Sequence, residues 1–232
     1  MRWADLDSLN HVNNVVYVDY AAEARGLLVE DGLLDADERV QRMAVDFLRP
    51  LLLSSQPVRV TSSRTDDELV QEITSGDADL VYARVTTTFG PKREVERGAA
   101  TFEPYPLRIR RSDVDASGTV SLTKAFEYFQ EARIVLFTSL RRDGSGASRF
   151  VVGHVDVTFG DSITWRREPY PVRSWISRLG DSSVHIEAEI TEGDRLYAHA
   201  RSVLVGFDMA AQTSRKLEPH EKQLLSKFMP PN

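Results

Sequence analysis

Residues 2–25 read RWADLDSLNHVNNVVYVDYAAEAR, and residues 110–133 read RRSDVDASGTVSLTKAFEYFQEAR. Laid over one another without a gap, Asp5 falls on Asp113, Asp7 on Asp115, Val12 on Val120, Tyr20 on Tyr128 and Glu23-Ala24-Arg25 on Glu131-Ala132-Arg133, at a constant offset of 108 (113 − 5). Self-similarity of this length marks a duplicated structural unit. Further along, Val45-Asp46 resembles Val155-Asp156, Val58-Arg59 resembles Val172-Arg173, and Ile73-Thr74 resembles Ile190-Thr191, where the offset has grown to 117 (190 − 73). Such drift reflects short insertions in surface loops between repeated elements. The 232 residues therefore divide into two units of ordinary domain size, which we expect to span 1–103 and 104–232. The boundary is placed at Pro104-Tyr105-Pro106 because prolines interrupt a strand ladder.

Each copy has one long helix followed by strands. Tyr17, Tyr20, Ala21, Ala24, Leu27 and Leu28 recur at helical spacing and predict a buried stripe. Asn13 or Asn14 can cap that helix, and Gly32 stands where a left-handed stop is expected. In the second copy Phe126, Phe129, Leu136, Phe137 and Leu140 repeat the stripe, with Ser121 or Thr123 as cap and Gly144 as the stop. Alternating β-branched runs predict strands near 43–48, 58–64, 69–74 and 80–89, then 150–159, 172–179, 184–191 and 196–207. The segments 75–79 and 192–194 carry hairpin-turn residues. One helix plus an antiparallel meander in each copy argues for an α+β fold. A short strand over Leu107–Arg111 is expected to open the second copy. The first has no counterpart, so either the start as given is incomplete or that edge strand is absent. The amphipathic piece Glu218–Phe228, with Pro219 at its first helical position, is read as a docking or capping element.

Composition narrows the function. Lysine and arginine total 29 against 35 acidic residues, a net charge of −6, which argues against nucleic acid as a partner. Arginines cluster at 108–111, 141–142 and 166–167. We read them as solvated strand and helix ends, with contact to a ligand phosphate as the alternative. The absence of cysteine removes disulfides, thiolate metal sites and cysteine nucleophiles. His11, His154, His185, His199 and His220 are scattered without ligand spacing, so neither a metal nor a cofactor is expected. No Gly-x-Ser-x-Gly elbow or glycine-rich phosphate loop is present. The N-terminus lacks the pattern of a signal peptide, and no run approaches a membrane span, which points to a cytoplasmic protein.

The segment Asp5-Leu6-Asp7-Ser8-Leu9-Asn10-His11-Val12-Asn13-Asn14-Val15-Val16-Tyr17 closely resembles the D-x-D-x-x-G/N-H-V-x-N-x-x-Y signature of the 4-hydroxybenzoyl-CoA thioesterase-like hotdog family. It is similar also to the matching stretch of acyl-carrier-protein thioesterases, which are tandem hotdogs. The resemblance implies two hotdog units, each a long central helix wrapped by an antiparallel β-sheet, that hydrolyse acyl-CoA or acyl-carrier-protein thioesters. It assigns Asp7 as the catalytic carboxylate and the backbone N–H of Asn14 as the oxyanion donor. His11 and Asn13 would orient water or the acyl carbonyl, and Tyr17 would line the acyl tunnel. Where acyl-carrier-protein thioesterases have a helpful asparagine, two residues past the aspartate, this chain has Leu9, so their site is not copied directly.

The chemistry is consistent with that assignment. A thioester carbonyl at a helix N-terminus meets unpaired amides and the positive end of the dipole, and a carboxylate beside it can activate water or attack directly; we favour water. The second copy keeps Asp115 but has Thr119 in place of His11 and Leu122 in place of Asn14. It is expected to be a weak substrate-contacting site beside one good site at Asp7, which residues of the second copy would complete. Glu23 and Glu131 are read as supporting the fold. Asp7 could also simply close an Asx turn, so the alternatives are a non-catalytic acyl-CoA-binding hotdog protein and a hotdog dehydratase or hydratase. Exposed edge strands make a homo-oligomer of the fused pair a further expectation.

Overall fold

A computed structural model describes residues 1–7, 10–76, 80–98, 100, 103–142, 150–208 and 210–230. Contacts divide the chain into two compact units, Met1–Lys92 and Arg93–Asn232. Residues 93–98 group with the second unit because Arg97 bonds the carbonyls of Gly193 and Asp194. Gly98 also sits so close to Trp175 that a Cβ would fall 2.0 Å from the indole.

In the N-terminal unit a 3₁₀ turn, Trp3–Asp5, precedes helix α1 (Asn14–Glu30), and four strands follow: β1 (Val40–Phe47), β2 (Val58–Arg64), β3 (Glu68–Ser75) and β4 (Val81–Phe89). Every pairing is antiparallel: β2 with β3, β3 with β4, and β1 with β4. Helix α1 packs on this sheet through Tyr17, Val18 and Ala21. Leu27, expected on the stripe, is 53% exposed, because an inward stripe of 17, 21 and 25 turns it outward. Gly32, at φ 70°, provides the left-handed exit that glycine tolerates best. Below it Leu34, Leu69 and Phe89 form a small core with Leu28, Val29 and Val40.

The C-terminal unit repeats the plan with β5 (Tyr105–Leu107), α2 (Leu122–Arg142), β6 (Phe150–Phe159), β7 (Tyr170–Leu179), β8 (Ser183–Glu192) and β9 (Arg195–Asp208). Its strands run β6-β9-β8-β7-β5, with the short β10 (Thr213–Ser214) on β9. The opening strand differs from expectation: it falls on Tyr105–Leu107, not 107–111, and contains Pro106 paired opposite Pro171 of β7. An edge position allows this, since proline there withholds no hydrogen bond that a further strand would need. The β8–β9 hairpin turns at Gly193-Asp194, between the paired Glu192 and Arg195. Helix α3 (Pro219–Ser226) does dock: Leu217 and Leu225 join Leu136, Ile176, Val184, Ile186 and Leu204 in one core. Glu221, 6% exposed, accepts both Nη atoms of Arg215 at 2.8 Å. The expected stop at Gly144, the turn residues 77–79 and the side chains of Arg141 and Arg142 lie outside the described residues.

The repeated Glu-Ala-Arg divides its charges between outside and inside. Glu23 and Glu131 are exposed. Arg133 is buried and donates to Ser202 of β9 at 3.2 Å, and burial lowers its pKa to about 10. Arg25 likewise turns inward, with Nη1 at 3.7 Å from the sulfur of Met43.

Candidate active site

The site is a loop hung on the first turn of α1. Asp5 caps the 3₁₀ turn through the amide of Arg2 and accepts the Tyr20 hydroxyl at 2.7 Å; its backbone carbonyl accepts Asn13 N–H at 2.8 Å. Leu6 and Val12 then pair antiparallel, and the chain reverses between them. Asp7 N–H donates to His11 O (2.8 Å) and Asn10 N–H to Asp7 O (3.1 Å). Asn10 sits at φ 60°, a conformation that asparagine tolerates better than most residues. His11 N–H donates to Asp7 Oδ1 at 3.1 Å, which orients the carboxylate along the inner edge of the loop. Ser8 and Leu9 lie outside the described residues.

A second segment closes against this loop. Val12 N–H donates to Leu51 O at 2.8 Å, His11 pairs with Leu52, and Leu51 N–H donates to the Tyr17 hydroxyl at 3.1 Å. Tyr17 is 2% exposed and meets Phe47 edge-on at 5.6 Å. This wall was missed in the sequence. Its signal is the run Leu48-Arg49-Pro50-Leu51-Leu52-Leu53, apolar where a loop is normally polar; Leu52 and Leu53 remain 55% and 47% exposed.

At the start of α1, Asn13 is the cap. Its Oδ1 accepts Val15 N–H at 3.4 Å, and its carbonyl accepts Val16 N–H at 2.9 Å. The N–H of Asn14, the first helical residue, has no acceptor among the described residues. An unspent amide at the positive end of a helix is a ready donor for a developing oxyanion. Asp7, His11, Asn13 and Asn14, each half-buried, and the buried Tyr17 thus lie on one loop and the helix turn that follows it. Asp115 stands in the other unit's loop.

That loop repeats the scaffold. Asp113 accepts the amide of Arg110 (2.8 Å) and the Tyr128 hydroxyl (3.2 Å). Asp115 N–H donates to Thr119 O (2.9 Å), Gly118 N–H to Asp115 O (3.0 Å) and Val120 N–H to Ile163 O (2.9 Å). Gly118 takes the left-handed turn at φ 80°. Asp115 Oδ1 accepts three donors: Ser117 Oγ (2.6 Å), Ser117 N (2.8 Å) and Thr119 N (3.0 Å). The Ser117 hydroxyl, then the Thr119 amide, hold its pKa below the usual carboxylate range, which makes it a poor base. Ala125 occupies the place of Tyr17, and Tyr170 from β7 ties the wall instead, donating to Thr164 O at 3.0 Å and accepting Thr164 N–H at 3.3 Å.

Arginines of two of the clusters are engaged locally. Arg108 bonds Arg167 O, Arg111 lies 4.0 Å over the Trp165 ring, and Arg166 pairs with Glu192. Burial raises Tyr17 to about 12, opposed by the Leu51 amide, with Tyr82 and then Asp7 adding smaller upward pushes. Tyr20 and Tyr128 are raised by burial together with Asp5 and Asp113 respectively. Among the described residues no three His, Asp or Glu side chains gather as a metal site, and no helix is long and apolar enough to cross a membrane.

The profile of the thioesterase-like superfamily matches residues 1–103 and 109–228. A search of curated proteins found no match to this sequence. The chain is similar in fold to the 12:0-ACP thioesterase from Umbellularia californica (TM-score 0.65, 11% identity, covering 89% of this chain and 91% of that one). It is similar also to an acyl-ACP thioesterase from Bacteroides thetaiotaomicron (0.59, 10%, covering 88% and 94%). A protein described as an oleoyl thioesterase from Lactobacillus plantarum is a third (0.62, 14%, covering 90% and 94%). At such identities the likeness concerns the fold, a tandem pair of hotdog units.

Proposed function

Because the chain belongs to the thioesterase-like superfamily, whose chemistry is thioester hydrolysis, we propose that its N-terminal unit cleaves acyl-CoA or acyl-carrier-protein thioesters at Asp7. The observation that carries this reading is the unspent N–H of Asn14 at the start of α1, beside the loop that orients Asp7. The thioester carbonyl oxygen takes that N–H as its donor. Asp7 removes a proton from water as the water oxygen adds to the carbonyl carbon, and the negative charge gathers on the oxygen facing the helix. Collapse breaks the C–S bond, and the proton held by Asp7 passes to the departing sulfur, leaving free acid and thiol. His11 orients the water or the acyl carbonyl. Asn13 contributes to the substrate side of the cleft, although its amide oxygen is spent on the cap. No cofactor enters.

We assign one good site, with Asp115 a weak substrate-contacting position at most. The wall at Leu52 and Leu53 offers apolar surface to the acyl group. The cysteine-free sequence suits the cytoplasm, and the 12:0-ACP and acyl-ACP substrates in the names of two structural neighbours make fatty acyl groups the first substrates to try. One observation favours a second reading, a non-catalytic acyl-CoA-binding protein: Asp7 accepts the amide four residues on just as Asp115 does, so a structural role already explains its presence.

Thiol release from acyl-CoA and acyl-carrier-protein thioesters across chain lengths separates the two. We expect turnover by the wild type and binding without turnover by Asp7→Asn. Binding without turnover in the wild type would favour the second reading, and unchanged turnover in Asp7→Asn would remove Asp7 from the mechanism.

A further inference from the structure

We propose that Tyr17 is a positioning residue of the N-terminal unit, whose phenol O–H holds the hydrolytic water against the Asp7 carboxylate. The inference rests on the hydrolytic reading above and gives Tyr17 a polar task in place of tunnel lining.

A phenol can accept and can also donate one hydrogen bond, and a buried hydroxyl normally does both. Tyr17 is 2% exposed. Its oxygen accepts Leu51 N–H at 3.1 Å, which fixes the ring and leaves the O–H proton to point elsewhere. Among the described residues that proton has no acceptor. The hydroxyl is connected to the loop that orients Asp7 by a short chain of contacts. Leu51 O takes Val12 N–H, the next residue, Leu52, pairs with His11, and His11 N–H bonds Asp7 Oδ1. Tyr82, and after it Asp7, are near enough to act on the phenol electrostatically.

The C-terminal unit provides the contrast. Position 125 there is alanine, and the wall is tied by Tyr170, from a different strand. The Tyr170 hydroxyl both accepts from and donates to Thr164, so its capacity is used up on the wall. Holding the wall therefore needs no phenol on the helix and can consume a hydroxyl completely. Among the described residues, the Tyr17 hydroxyl keeps a donor in reserve that the Tyr170 hydroxyl has spent.

In the reaction the Tyr17 O–H donates to one lone pair of the water, while the water's own O–H donates to Asp7. The second lone pair is left to attack the thioester carbon. Two fixed contacts orient the nucleophile, which is the kind of contribution that changes turnover more than binding.

Two measurements test this. In the first, 3-fluorotyrosine is placed at position 17 and its ¹⁹F resonance is followed as pH falls through the carboxylate range, with and without Asp7→Asn. The resonance is expected to shift in the otherwise wild-type protein and to stay flat in the Asp7→Asn background; identical traces would overturn the proposal. This readout needs no turnover, so it decides the Tyr17–Asp7 link even if the hydrolytic reading fails. The second is the kinetics of Tyr17→Phe. Loss of the reserved donor should lower kcat at least about tenfold with KM within about threefold. A phenol that only tied the wall would instead raise KM and lower Tm with kcat retained, and that pattern would also overturn the proposal.

Discussion

Asp7 and Asp115 each accept the amide four residues on, each closes a loop through a left-handed residue (Asn10 or Gly118), and each loop is pinned to a neighbouring segment by the following valine. Beyond that shared frame they diverge. In the first loop the helix opens with Asn14, the following residues include Tyr17, and the wall is Leu51-Leu52. In the second, a serine and a threonine crowd the aspartate, the helix opens with Leu122, and alanine stands at 125. The duplication has kept the bonds that build the turn and varied the groups around it. Retention of an aspartate is therefore no sign of activity in itself.

The largest expected difference between the loops is catalytic. Asp7→Asn should reduce kcat/KM about 10³-fold, as loss of a general base does, whereas Asp115→Asn should stay within about twofold of wild type. Thiol release read on both variants would break the comparison if the two losses were equal.

Next comes alkaline stability, which isolates Tyr17. Its folded pKa is raised to about 12 from the ordinary 10.0, so the unfolded chain loses this proton first. The stabilisation is complete below pH 10 and disappears as pH rises towards 12. The stability gap between wild type and Tyr17→Phe should therefore narrow by about 2 kcal/mol across that window. Denaturant melts at pH 9 and above 11 check it, and Tyr20 and Tyr128 cancel because both proteins carry them.

A smaller difference should appear between two buried hydroxyls. Ser202 is the hydrogen-bond partner of buried Arg133, whereas Thr87 Oγ1 on β4 is buried with no partner among the described residues. Ser202→Ala should destabilise by about 2 kcal/mol, since it strands a buried charge. Thr87→Val should be neutral or stabilising by up to about 1 kcal/mol, since it removes an unmade bond. Equal losses in thermal melts would mean that the two hydroxyls have the same surroundings.

Much of this was legible in the sequence because it is local. The repeat, the helical spacing from Tyr17 to Ala21, the stop at Gly32 and the aspartate loop each depend on residues a few positions apart. What was not legible depends on distant partners. The Tyr17 hydroxyl finds Leu51, 34 positions away in the chain, and nothing near Tyr17 announces it. Arg25 and Arg133 turn inward although arginine is ordinarily a surface residue, because the buried stripe of each helix passes through them. The strand at Tyr105–Leu107 is not legible locally because proline ordinarily interrupts a ladder, and its edge position is what makes Pro106 acceptable. Leu51 and Leu52 lie outside any strand pattern in the sequence, yet they bond the first loop through Val12, His11 and Tyr17.

The most direct test of the account replaces Asn14 by proline. Position 14 is the first helical residue, where proline is well tolerated, and Asn13 at φ −61°, ψ 139° already has the extended conformation that a following proline requires. The substitution deletes one N–H and leaves the helix in place. With unchanged circular dichroism, kcat should fall about 10²- to 10³-fold, while Leu122→Pro, the same change in the second unit, should leave turnover within about twofold. Wild-type turnover in Asn14→Pro would contradict the account, because the oxyanion would then not be held by the amide at the head of the first helix.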